Sequence, residues 1–207
     1  PFKKVCIVNV DGFLDFYPEF IAEEFRKYGV TCSFGSINFP DLEQIRKNPS
    51  EMRSANIARV FDREENLEAL AAKISEVAAD SEAVILPAII GINRNDSFEV
   101  LKSKVSLPLF LLQKLPPSIP GIKAQQALQN RFRALGGEYF LGDSVLSADF
   151  EGDRIKQVYT ADHGNIPFEA DQFVLATGSF FSKGLVATPD RIEEPVFGAD
   201  TVFQPDR

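Results

Sequence analysis

The sequence predicts an α/β protein, a mostly parallel sheet with helices, followed by a β-meander. Three observations predict it. Residues Val5 to Phe39 read as strand, helix and strand, the unit from which parallel sheets are built. Short apolar runs then alternate with helical patterns as far as Leu112. Beyond Gly136-Gly137 the helical spacing gives way to short strands separated by turn signals. With 207 residues, 44% of them hydrophobic and 19 of them Phe, the chain can bury one substantial core or two modest ones.

Val5 to Val10 is apolar and rich in β-branched residues, and Asp11-Gly12 bounds it as a buried strand. Pro18 opens a helix through about Tyr28, with Phe20, Ile21, Glu24 and Phe25 at helical spacing and Gly29 ending it. Val30 to Phe39 is the second strand, and Pro40 to Asn48 a short helical turn. Ser50 is positioned to cap a helix that reaches Phe61. A longer helix follows from Glu64 to Ala79, apolar at Leu67, Leu70, Ile74 and Val77. Ala83 to Leu86 is a buried strand ended by Pro87, and a glycine-containing loop leads to a helix at Phe98–Ser103 and a strand at Pro108–Leu112.

Leu115-Pro116-Pro117-Ser118-Ile119-Pro120-Gly121 cannot be regular structure, because its prolines remove donors and fix φ. It is the best internal boundary, and Ile122 to Leu135 after it reads as an amphipathic helix. Strands are then expected at Glu138–Leu141, Ser144–Phe150, Arg154–Thr160 and Ile166–Phe168, with turns at Gly142-Asp143, Glu151-Gly152-Asp153 and Asp162-His163-Gly164-Asn165. A last buried strand, Gln172–Leu175, leads into Ala176-Thr177-Gly178-Ser179. The sequence shows no internal repeat and no low-complexity tract.

Composition removes several function classes. A formal net charge of -8 argues against nucleic acid as a partner, because phosphate backbones call for clustered Lys and Arg. Cys6 and Cys32 lie in apolar runs and read as buried free thiols; without a CxxC or Cys/His cluster no metal site is expected. No apolar run approaches the roughly 20 residues of a membrane-crossing helix, and no signal peptide is visible, so a cytoplasmic protein without direct membrane insertion is expected. The start at Pro1, inside a strand, and the stop at Phe203–Arg207 without a closing helix suggest an excised piece.

A strand that ends in small residues lets backbone approach a ligand closely, since nothing bulky projects from the turn. In flavoproteins of the two-dinucleotide type a β-meander feeds such a strand, and its small-residue end lies near the flavin. Ala176, Thr177, Gly178 and Ser179 are therefore the candidate cofactor-binding residues. The G-x-G-x-x-G that presents a helix N-terminus to a pyrophosphate is missing, and bulky residues follow Val10-Asp11-Gly12 instead. If this is a flavoprotein, that fingerprint lies upstream of Pro1.

Five stretches make the likeness specific: Asp11-Gly12-Phe13-Leu14-Asp15-Phe16, Asn56-Ile57-Ala58-Arg59, Leu115-Pro116-Pro117-Ser118, Gly136-Gly137 and Ala176-Thr177-Gly178-Ser179-Phe180-Phe181-Ser182. In these, and in their order along the whole chain, the sequence resembles the family of B subunits of anaerobic glycerol-3-phosphate dehydrogenase, and matches the family's interior. The Gly-Ser-Phe-Phe-Ser run is distinctive. Lys183 departs from the family, which often carries glycine there. The resemblance implies an interior piece of a two-dinucleotide-type flavoprotein fold, with residues 1–120 as an inserted α/β domain of substrate or cap type. Residues 121–183 would form part of a flavin domain and residues 184–207 a return segment. It implies oxidation of sn-glycerol 3-phosphate to dihydroxyacetone phosphate with electrons passed to quinone. FMN or FAD would be held by the full-length protein and not by this piece alone. The partners implied are the family's catalytic A subunit, and its iron–sulfur, membrane-anchoring C subunit, which would place the protein peripherally at the inner membrane.

No catalytic residue is assigned from the sequence. Arg53, Asn56 and Arg59 fall at i, i+3 and i+6 of the helix expected from Ser50, with Arg59 turned about 120° from Arg53. Guanidiniums and an amide can hold a phosphate; the plainer alternative is a solvated, ion-paired face with Glu51 and Asp62. Ser118 and Gly121 precede a helix whose unpaired N–H groups suit an anion; helix capping explains Ser118 almost as well. His163, the only histidine, lies in turn chemistry where a solvated tip is expected, which argues against a general base. Asp11 and Asp15 lie where α/β proteins commonly bind ligands, though Asp11 also reads as a turn former. The rival readings are a non-redox metabolite-binding module and a scaffold between subunits.

Overall fold

The structure is a computed structural model that describes residues 2–202. Pro1 and residues 203–207, on which the expectations about the chain's ends fall, lie outside the described residues. The chain divides into two compact units between Gly137 and Glu138.

In the first unit, β1 (Lys4–Val10) is the organising strand because its apolar run is long enough to be buried on both faces. Cys6, Ile7 and Val8 are wholly inaccessible. Strands buried on both faces are those of parallel sheets covered by helices. β1 pairs in parallel with β2 (Thr31–Ile37) and with β3 (Ala83–Pro87), and β4 (Leu109–Leu112) extends the sheet in the order β2-β1-β3-β4. Ile7 stands opposite both Phe34 and Ile85.

α1 (Pro18–Lys27) connects β1 to β2; Pro18 begins it without losing an intrahelical hydrogen bond, and Gly29 turns the chain out at φ 75°. α2 (Pro40–Arg46), α3 (Ser54–Val60) and α4 (Glu64–Val77) follow β2. α4 buries Leu67, Leu70 and Ile74, each worth about 1.5–3 kcal/mol relative to exposure. It lies so close to β2 that a Cβ on Gly35 would stand 2.7 Å from Val77 Cγ2.

The helix expected from Ser50 to Phe61 is broken. Pro49–Glu51 forms a 3-10 turn, Met52 is buried in the core, and Arg53 is extended at ψ 150° before α3 begins at Ser54. Burial of the Met52 side chain prevails over helical continuity. Ser50 therefore caps nothing, and its hydroxyl donates to Asn48 Oδ1 at 2.8 Å.

α5 (Ser97–Lys104) joins β3 to β4. The loop ahead of it is fixed by one side chain: Asp62 accepts the backbone N–H groups of Ile92, Asn93 and Arg94 at 2.8–3.0 Å and the Asn93 amide at 2.8 Å. α6 (Ile119–Ala134) belongs to this unit. The break in compactness thus falls beyond the proline-rich segment, because Ile119 and Ile122 pack on the first unit's core.

The second unit is antiparallel. β5 (Val145–Glu151) and β6 (Arg154–Thr160) form a hairpin closed by Gly152-Asp153, with Gly152 at φ 63°, and β7 (Phe168–Glu169) pairs with β6. β8 (Val186–Ala187) and β9 (Ile192–Glu193) make a small separate ladder that the sequence does not announce. Glu138–Leu141 and Gln172–Leu175, expected as strands, are not strands. Both have β-forming sequences, but no neighbouring strand pairs with them among the described residues, and Leu141 and Val174 are largely exposed. Pairing, not propensity, makes a strand.

Candidate functional site

The small-residue segment lies in an open turn of the second unit. Gly178 has φ 79°, and Ser182 caps the turn: its hydroxyl accepts the Ser179 N–H at 3.0 Å and donates to the Thr177 carbonyl. A Cβ on Gly178 would lie 2.6 Å from Ser182 Oγ, and one on Gly184 would lie 2.6 Å from Thr177 Oγ1. Glycine at 178 and 184 therefore lets the backbone of Thr177–Gly184 fold compactly on itself. Beside the turn is a cavity of about 590 Å³, lined by Thr177, Ser182, Lys183, Leu175, Ser144 and Asp143 among others. Lys183, the departure from the family pattern, occupies the left-handed region at φ 62°, which favours glycine. The local geometry is thus one that glycine would adopt without strain.

His163 is not a solvated turn tip. Its Nδ1 is 2.9 Å from Asp143 Oδ2 and 3.0 Å from Thr160 Oγ1, and its ring packs edge-on against Phe168 and Phe140. The turn folds back because Asp143 also accepts the N–H groups of Ser144 and Asp162. The Asp143 carboxyl is held down to about 2, foremost by the Thr160 hydroxyl and then by those N–H groups and His163, against the opposing effect of burial. From the sequence alone, Gly142-Asp143 is legible only as a turn signal. Glu194, also passed over, is buried and accepts N–H groups from Val196 and Phe197. Desolvation pushes its carboxyl up, but the N–H groups of Phe197, Val196, Ala199 and Gly198 together outweigh that effect and lower it.

In the first unit, Asn56 and Arg59 come together one turn apart on α3, with Arg59 donating to Asn56 Oδ1 at 2.7 Å. They line a cavity of about 550 Å³ with Arg63, Gln44, Asp41 and Glu51. Asn56 also donates to the Glu51 carboxylate at 2.7 Å, and Arg63 pairs with Asp41 at 3.0 Å. Arg53 is not brought to this cavity; its Nε donates to the Ser50 carbonyl. Ser118 caps α6, accepting the Gly121 N–H at 3.2 Å. Asp11 is engaged by the Ser36 hydroxyl and by Arg46, and Asp15 by Lys114.

The sequence offers one candidate flavin contact, Ala176–Ser179, and lacks the pyrophosphate fingerprint after its first strand. The turn after β1 does not fit a pyrophosphate. α1 opens on Tyr17-Pro18-Glu19 with an acidic first turn, and Asp11 and Asp15 add carboxylates where phosphate oxygens would lie. The Thr177–Ser179 turn is compatible with the edge of a planar ring system, because it is compact, has no acidic residue and adjoins a cavity that Thr177 and Ser182 line. Among the described residues no cluster of His, Cys, Asp and Glu could hold a metal, and no helix is long and apolar enough to cross a membrane. Cys6 is buried and Cys32 half-buried, both as free thiols.

A parallel sheet clothed in helices, a β-meander and a small-residue turn define an α/β protein of the dinucleotide-binding class. The chain belongs to the FAD binding domain family, whose model matches residues 1–207. It is similar to proteins named as the B subunit of anaerobic glycerol-3-phosphate dehydrogenase. The relative from Yersinia enterocolitica is 43% identical over 207 residues, 100% of this chain and 49% of the relative. That from Actinobacillus pleuropneumoniae is 39% identical over 202 residues, 96% of this chain and 47% of the relative. That from Pectobacterium atrosepticum is 40% identical over 201 residues, 97% and 48% respectively. The chain thus spans about half the length of the curated relatives it matches. No solved structure matches it.

Proposed function

We propose that the chain is part of the flavoprotein subunit of a dehydrogenase that oxidises sn-glycerol 3-phosphate to dihydroxyacetone phosphate and passes the electrons to quinone. The observation that carries this reading is likeness along the whole chain, 43% identity over 207 residues, to a protein named as the B subunit of anaerobic glycerol-3-phosphate dehydrogenase. FAD or FMN, when bound, supplies two-electron acceptance. The backbone of Ala176–Ser179 borders the flavin ring. Asn56 and Arg59 receive the phosphate of the substrate, with Arg63 adding charge once Asp41 yields it. The partners are the catalytic A subunit, and the iron–sulfur C subunit that holds the cytoplasmic complex at the inner membrane. Residues 1–120 serve as the inserted domain, 121–183 as part of the flavin domain, whose first helix, α6, packs on the core of the inserted domain, and 184–207 as the return segment.

The test is the visible absorption spectrum of the full-length protein and of this chain, purified side by side. Flavin bands in the full-length protein alone are expected, with Gly178→Val in that protein losing the bands while circular dichroism stays unchanged. A full-length protein that remains colourless after FMN or FAD is added overturns the reading and favours the scaffold.

A further inference from the structure

A third cavity, of about 740 Å³, opens at the carboxyl edge of the parallel sheet, between the loop that follows β1 and the loop that follows β4. Ligands of open α/β sheets bind outside the carboxyl ends of the strands. One cation lies in its wall. The Lys114 side chain is only 8% exposed, and its Nζ donates to Asp15 Oδ2 at 2.8 Å and to Ser54 Oγ at 2.7 Å. The Phe13 ring centroid is 5.7 Å away, close enough for a cation–π contact.

The two partners of this ion pair are unequally placed. Asp15 is 61% exposed, so water can take its carboxylate at little cost, whereas Lys114 cannot reach water without unpacking. Burying an ammonium is expensive unless an anion stays beside it, and a hydrophobic side chain of similar length would fill the same space at lower cost. A buried cation answered by one displaceable carboxylate is therefore a socket for an external anion. Apart from Gln113, the remaining walls are largely apolar, with Phe16, Tyr17, Phe20, Leu112, Pro116 and Pro117 among them. Tyr17 and Phe20 stand edge to face at 5.9 Å, yet both are more than half exposed. A few polar groups among apolar, partly uncovered walls is the composition of a small-molecule pocket.

We propose that this cavity binds a small aryl carboxylate. The carboxylate replaces Asp15 on Lys114 Nζ, and the ring lies against Tyr17, Phe20 and the proline pair. The site is separate from the Asn56–Arg59 cavity and from the small-residue turn, and it stands whether or not the chain serves a flavin.

The probe is 2-naphthoate, titrated into the chain and followed by its own fluorescence, with 2-naphthamide as the uncharged isostere and acetate as the charge without the ring. Saturable binding of one naphthoate is expected, with the amide and acetate each at least tenfold weaker. Lys114→Met loses at least tenfold. Asp15→Asn, once its circular dichroism spectrum is shown to match that of the parent chain, binds several-fold more tightly because the competing carboxylate is gone. A purely structural ion pair would give the opposite sign for Asp15→Asn. The proposal is overturned by the absence of saturable binding, by equal affinity for naphthoate and its amide, or by weaker binding in Asp15→Asn.

Discussion

The two compact units are held together in different ways. In the first, Cys6, Ile7 and Val8 of β1 are wholly inaccessible, as are Ile57, Phe61, Leu67 and Ile74 on or beside the helices α3 and α4. In the second, Val158 is the only apolar side chain buried among the described residues, while Val174 and Phe181 are almost fully exposed. The second unit is instead tied by polar contacts: the ladder of β5, β6 and β7, the Asp143–Thr160–His163 cluster and the Glu194 nest. Hydrogen bonds contribute only about 0.5–1.5 kcal/mol each after exchange with water. Apolar burial therefore holds the first unit and local geometry holds the second. Exposed apolar patches on that scale mark surfaces that other protein or ligand covers.

The sharpest way to break this comparison is a cavity in the first unit. Ile7→Ala should cost about 2–5 kcal/mol. It should accelerate amide exchange throughout β1, β2 and β3 while leaving the β5–β6 hairpin unchanged; equal acceleration in both units would show that they unfold as one. A smaller effect is expected in acid, confined to the second unit. The Asp143 carboxyl is held near 2 against an ordinary 3.8. Its stabilisation is complete above about pH 4 and is lost as the pH falls through 2. Protection of the β5–β6 amides should fall across that window, and Asp143→Asn should flatten the dependence. The smallest change expected is a gain: Lys183→Gly relieves a left-handed residue, whose cost of about 1–2 kcal/mol is partly offset by the entropy glycine brings to the unfolded chain. Slower exchange of the Gly184 amide, which bonds the Ser179 carbonyl, would register it.

The first unit was legible in the sequence because its signals are local and its partners lie within the chain. The apolar run at Val5–Val10, Pro18 at a helix start and Gly29 at its end suffice for strand, helix and strand, and the structure keeps all three. The break at Met52 was hidden, since only tertiary packing says that this side chain turns inward. Gln172–Leu175 misled for the converse reason: its residues suit a strand, and a strand exists only beside another. In the candidate site, the turn at Ala176–Ser179 was visible as small residues. Lys114 was not, because a lone lysine after a strand gives no sign of being buried until Asp15 and Ser54, distant in sequence, arrive beside it.

The carboxylate of Asp62 carries a consequence for the order of folding. It reaches across some thirty residues to Ile92, Asn93 and Arg94. Its hydrogen bonds can close only after α4 and β3 have brought those amides into place. Such late contacts act on the unfolding rate far more than on the folding rate. Asp62 is therefore a latch on the finished sheet edge: it sets how long the loop after β3 stays shut once the core beneath it has formed.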